Sequence, residues 1–95
     1  MTTTTTGTIA TAGQANAPGV DPTTATSWLQ FNNLSSDILI LSYNGSPASP
    51  TNGVIVAGGA NIVFYVGATS GLKYPWGPIS VWGPMRGAPF SIIVT

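Results

Sequence analysis

The sequence predicts an all-β protein: a small antiparallel sandwich or jelly-roll-like barrel of about six strands, preceded by an extended Thr-rich N-terminal arm. Three observations predict it. Short aliphatic and aromatic runs recur from Trp28 to Thr95, each bounded by Gly, Pro, Asn or Ser. No run has a helical apolar period with caps, so helix content is expected near zero. Composition shifts near residue 26: residues 1–26 hold ten of the thirteen threonines, and after Met1 their only large apolar side chains are Ile9 and Val20. Two regions follow, an arm over 1–26 and a β domain over 27–95.

Branched Cβ atoms give the run Thr2–Thr6 a high β preference, yet alone it buries too little to fold. A flexible tail is one reading. The other is an ordered arm that docks by backbone hydrogen bonding, on this domain or on a neighbouring subunit, with Ile9 and Val20 as candidate interface residues. The second reading expects that removing residues 2–20 leaves the β domain folded.

Along the β domain, Trp28–Asn33 and Asp37–Asn44 are strand-like runs separated by Leu34-Ser35-Ser36. Trp28, which opens the first, is expected in the core. Residues 44–53 form a loop whose two prolines do not suit a central ladder. Val54–Ala57 and Ala60–Val66 flank Gly58-Gly59, a dipeptide suited to a tight hairpin turn. A hairpin there puts Ile55 and Ala57 on one face with Ile62 and Phe64, and leaves Val54, Val56 and Val63 on the other. Both faces are then mostly apolar, and both are expected to be covered. Ile79–Trp82 and Phe90–Thr95 complete the set. In the last strand Phe90, Ile92 and Val94 share one side.

Two Lys+Arg and two Asp+Glu make 4% charged residues, where soluble domains carry about 25%. The chain has neither His nor Cys. A His- or Cys-based nucleophile, a His/Cys zinc site and a disulfide scaffold are therefore excluded. Asp21 and Asp37 sit where Asp serves turns and strand entries, and Lys73 has no Ser-x-x-Lys spacing. No nucleotide-binding glycine pattern occurs. No enzyme, cofactor or metal is expected. Zero net charge provides no counterion release for nucleic-acid binding, and no stretch suits a membrane-spanning helix or a secretory signal. A chain this uncharged, with mean hydropathy +0.32, is expected to be a subunit of something larger.

Trp76, framed by Tyr74, Pro75, Gly77 and Pro78, and Trp82, followed by Gly83 and Pro84, carry the most weight. Tryptophans in such loops seal a small core, anchor a protein interface, or stack on sugar rings together with Tyr74. Arg86, in Gly83–Gly87, is a solvated loop residue or an interface hot spot. The candidate interface set is Ile9, Val20, Trp76, Trp82 and Arg86; the candidate glycan-stacking set is Tyr74, Trp76 and Trp82.

The stretches Phe31–Ile40, Asn52–Val56, Gly58–Ile62, Ile79–Gly83 and Phe90–Val94 together resemble small β-sandwich virion proteins of tailed phages. Those proteins have an asparagine-rich opening strand, an apolar-Gly hairpin and a closing terminal strand. The resemblance spans residues 28–95. It implies a structural virion protein on the capsid surface, a decoration (cement) subunit, with the major capsid protein and copies of itself, often as trimers, for partners. Others of this kind sit on tails or fibres, which keeps a glycan- or receptor-binding module as the alternative. The Thr-rich arm and the near absence of charge depart from that pattern, so the family's surface contacts do not carry over.

Overall fold

The computed structural model describes residues 2–18, 28–42, 46–65 and 79–95. These contain eight strands: β1 Thr3–Thr8, β2 Ala15–Asn16, β3 Trp28–Asn33, β4 Leu39–Ser42, β5 Val54–Val56, β6 Asn61–Tyr65, β7 Ser80–Trp82 and β8 Pro89–Val94. They form two four-stranded antiparallel sheets that pack together, with order β1-β8-β3-β6 in sheet A and β2-β7-β4-β5 in sheet B. The pairing is nested: β1 pairs β8, β2 pairs β7, β3 pairs β6 and β4 pairs β5. Two further pairs, β3–β8 and β4–β7, join the nested pairs into sheets.

Alternation decides what each strand buries. Leu29 and Phe31 on β3 and Phe90, Ile92 and Val94 on β8 point inward from sheet A, meeting Leu39, Leu41, Val56 and Val81 of sheet B. Phe31 and Phe90 stack with ring centroids 5.7 Å apart. Gly7 lies opposite Phe90 on the edge strand, where a Cβ would stand 2.8 Å from the ring, so only glycine gives that ring room.

The N-terminal segment docks on the β domain of its own chain. Thr3–Thr8 is an edge strand of sheet A and Ala15–Asn16 an edge strand of sheet B. Between them Ile9 is wholly buried in the common core. Its N–H donates to Ala88 O at 3.0 Å, and its own carbonyl accepts from Gly87 N–H at 2.8 Å. Burying one such side chain stabilises by about 1.5–3 kcal/mol. Removing residues 2–20 therefore takes away an edge strand and a core residue, and does not leave an intact β domain. Docking by backbone hydrogen bonds does occur, within the chain itself. Composition hid this, because β1 contributes backbone to the sheet and almost no apolar surface to the core.

Two other expectations change. Val54–Val56 and Asn61–Tyr65 are strands, but Gly58-Gly59 does not join them as a hairpin, since β5 belongs to sheet B and β6 to sheet A. Ala60 N–H donates to Ala57 O at 3.0 Å, and of the two glycines only Gly59 has positive φ, at 75°. That is the pattern of a type II turn, whereas the I′ hairpin turn needs positive φ at both central residues. Crossing between sheets reverses the expected facing: Val56 joins the core beside Ile62 and Phe64, and Ile55 is 63% exposed. Trp28 is half-buried on the outer face of sheet A, because its neighbour Leu29 takes the inward position.

Candidate interaction surface

On sheet B, residues that alternate with the core strands line up across all four strands. The register sets Ala15 opposite Trp82, Trp82 opposite Ile40, and Ile40 opposite Ile55. Directly opposed residues of an antiparallel ladder share a face. Their neighbours Leu39, Leu41, Val56 and Val81 point into the core, so this row is on the outer face. It holds no charged side chain, and its one polar group is the Trp82 indole N–H. Ile38, two residues ahead of Ile40 at the entry to β4, follows the same alternation and is 44% exposed.

Two local structures hold this face in place. The first is built on Asn33, a buried amide at the end of β3. Its Nδ2 donates to Asp37 O at 2.7 Å, Val56 O at 2.9 Å and Ala57 O at 3.1 Å. Its Oδ1 accepts from Ser35 N–H at 2.9 Å and from the Ser35 hydroxyl at 2.7 Å. One side chain thus ties the loop before Ile38 to the end of β5. The second is the segment 46–53, which lies along sheet B. Ser42 Oγ donates to Ser46 O at 2.6 Å, Asn52 Nδ2 donates to Pro47 O at 2.9 Å, and Ala48 N–H donates to Ser80 Oγ at 2.8 Å. Gly53 ends it at φ 134°, where a Cβ would stand 2.7 Å from both Ile40 Cγ2 and Leu41 O. Ile40 is buried, while Ile55 stays open at the sheet edge and Trp82 is half-buried between Ala15 and Ile40.

The candidate residues from the sequence separate in space. Trp82 is the centre of the row. Ile9 is taken up by the core and offers no surface to a partner. Arg86 is exposed in the loop between β7 and β8, beside the exposed Met85. Val20, Tyr74 and Trp76 lie outside the described residues. Sequence reasoning missed Ile55 as a surface residue and Asn33 as the support of this face. Asn33 left a usable signal: a polar residue at an inward position of an apolar strand must find buried partners.

Among the described residues, no group of three or more His, Cys, Asp or Glu could hold a metal ion. The row can bind by apolar burial: covering Ile55 and Ile38 with a partner contributes about 1–2 kcal/mol each. No known family, curated protein or solved structure matches the chain.

Proposed function

We propose that this chain is a structural subunit of a virus particle, a capsid decoration (cement) protein held among its neighbours by the outer face of sheet B. The observation that carries the reading is the uncharged row Ala15–Trp82–Ile40–Ile55, in which Ile55 is exposed, Trp82 half-buried and Ile40 buried, with the exposed Ile38 beside it. Exposed apolar residues gathered on one face mark interaction sites, and a tryptophan at their centre is the usual hot-spot residue. The nested strand order supports the reading at the level of fold. Eight strands paired first to last, in two sheets of four, follow the order of a jelly roll, an architecture that recurs in viral capsid and lectin domains. That support is analogy, because one fold hosts many functions. The partners are the major capsid protein and further copies of this chain, and lattice repetition multiplies a modest contact into firm attachment.

The test is attachment of the purified chain to shells assembled from the capsid protein encoded in the same genome. Trp82→Ala and Ile55→Lys are expected to weaken attachment by about tenfold or more while preserving the fold. Raising salt should change attachment less than about twofold, because the face carries no charge to screen. Absence of binding to the shell, or binding that both variants leave intact, overturns the reading. A reproducible glycan-array signal abolished by Trp82→Ala replaces it with glycan recognition.

A further inference from the structure

Among the described residues no strand pairs with the outer side of β1, an edge of sheet A, and its polar backbone groups can be assigned residue by residue. Trp28 and Thr95 exchange both backbone hydrogen bonds, at 3.1 and 3.0 Å, so Thr95, and by alternation Ile93 and Ser91, direct their N–H and C=O toward β3. The intervening Val94, Ile92 and Phe90 direct theirs toward β1, where the register pairs them with Thr3, Thr5 and Gly7. The bonds between Ile9 and the loop at Gly87 and Ala88 continue the same phase. Pro89, which has no N–H to give, falls opposite Thr8, outside that phase. Thr4, Thr6 and Thr8 therefore direct their N–H and C=O to the open side, at intervals of about 6.8 Å.

Native sheets blunt such edges by shortness, proline, charge or a bulge. The edge strands of sheet B are short, two residues in β2 and three in β5. β1 has six residues, with neither proline nor charge among them. β6, the other edge of sheet A, has five residues and likewise carries neither proline nor charge. A second copy fits the β1 edge because Thr4, Thr6 and Thr8 are placed symmetrically about Thr6, and the absence of charge permits that pairing. A two-fold pairing brings identical residues near each other, so any lysine or glutamate on β1 would oppose its own copy; here nothing does.

We propose that β1 pairs antiparallel with β1 of a second copy of this chain, about a two-fold axis at Thr6, joining two copies of sheet A into one eight-stranded sheet. In this register Thr6 meets its counterpart and Thr4 meets Thr8, so all three outward-directed residues are used. The pairing involves the edge of sheet A, not the apolar face of sheet B, and stands or falls independently of the capsid reading. One strand edge buries less than the roughly 1,200 Å² of a standard stable interface, so the dimer dissociates on dilution and is best read by trapping.

The chain has no cysteine, which makes thiol trapping clean. Hydrogen-bonded partners sit about 5.5 Å apart between Cα atoms, within disulfide range. Thr6→Cys is expected to oxidise to a dimer about tenfold or more faster than the exposed loop variant Thr11→Cys, because pairing raises the local thiol concentration. Thr4→Cys should trap no faster than Thr11→Cys, since its two thiols would stand about 14 Å apart. In sedimentation at millimolar concentration, the unaltered chain should approach dimer mass. Thr6→Pro and Thr6→Lys should remain monomeric with unchanged circular dichroism, because the lost or crowded N–H faces outward. Trapping of Thr6→Cys at the control rate overturns the proposal, as does equal trapping of Thr4→Cys. A monomeric parent chain at millimolar concentration, or a folded Thr6→Pro that still dimerises, overturns it too.

Discussion

The outer faces of the two sheets are both free of charge, yet they treat water in opposite ways. On sheet A the outward positions hold Thr4, Thr6, Ser91, Gln30, Asn32 and Asn61, with Trp28, Ile93 and Val63 among them. Gln30 Nε2 donates to Asn32 Oδ1 at 3.0 Å, Asn32 Nδ2 donates to Ser91 Oγ at 3.0 Å, and the Thr2 and Thr95 hydroxyls lie 2.9 Å apart. Hydroxyls and amides arranged in this way still offer donors and acceptors to solvent. On sheet B the positions Ala15, Trp82, Ile40 and Ile55 offer only the Trp82 indole N–H, and the Ser42 and Ser80 hydroxyls on the same face bond to the segment 46–53. A low charge count therefore does not by itself make a surface adhesive. The choice between threonine and isoleucine at outward positions does, and it separates a face that water can cover from one that gains by being covered.

The largest effect should come from the support beneath the apolar face. Asn33→Ala removes one donor from each of Asp37 O, Val56 O and Ala57 O, leaving Asp37 O with the Ser35 hydroxyl, and lets the loop before Ile38 loosen from β5. Leaving buried acceptors unmatched costs about 3 kcal/mol in total, and a domain of this size loses about 4–8 °C of Tm per kcal/mol. Thermal unfolding should thus show a fall of about 12 °C or more. A fall of only a few degrees would mean that the two ends of this face are held by something other than this amide.

How much of this was legible in the sequence depends on which residue carried the information. All six apolar runs from Trp28 to Thr95 became strands, trimmed at some ends, because alternation and turn residues are local signals. Leu39, Leu41, Phe90, Ile92 and Val94 face the core as their spacing implies. The sheet to which a strand belongs is not a local signal. Gly58-Gly59 permits a hairpin or a crossing equally well; the observed turn takes positive φ at one glycine only, and that single torsion moves Ile55 from core to surface. The strand character of Thr3–Thr8 was legible as propensity, but its place in sheet A depends on the distant β8. Trp82 was singled out for its type; the row that gives it meaning exists only once β2, β7, β4 and β5 are adjacent.

A paired substitution sharpens the contrast at intermediate magnitude. Ile55→Thr keeps a β-branched side chain on β5 while removing apolar surface from the exposed edge of sheet B. Thr4→Ile makes the reverse change on sheet A. Losing about 1–1.5 kcal/mol of apolar burial against a partner corresponds to roughly tenfold in affinity. Ile55→Thr should weaken shell attachment by that factor, and Thr4→Ile should leave it unchanged, with both variants melting within a few degrees of the parent. Equal effects of the two on attachment would remove the distinction between the faces.

The smallest effect belongs to the polar face, and its size is informative because Asn32 and Asn33 are adjacent in sequence and opposite in direction. Asn32 is half-buried, accepts from Gln30 and donates to Ser91. Solvent can replace both contacts when the amide is removed, so Asn32→Ala should cost less than about 1 kcal/mol, a Tm shift under about 8 °C. Were it to approach the cost of Asn33→Ala, the amides on sheet A would have to be cut off from water, and that face too would be one the protein keeps covered. A small shift leaves sheet A as a surface that stays wet around Trp28, Ile93 and Val63, and sheet B as the side whose exposed edge, at Ile55 and Ile38, is apolar.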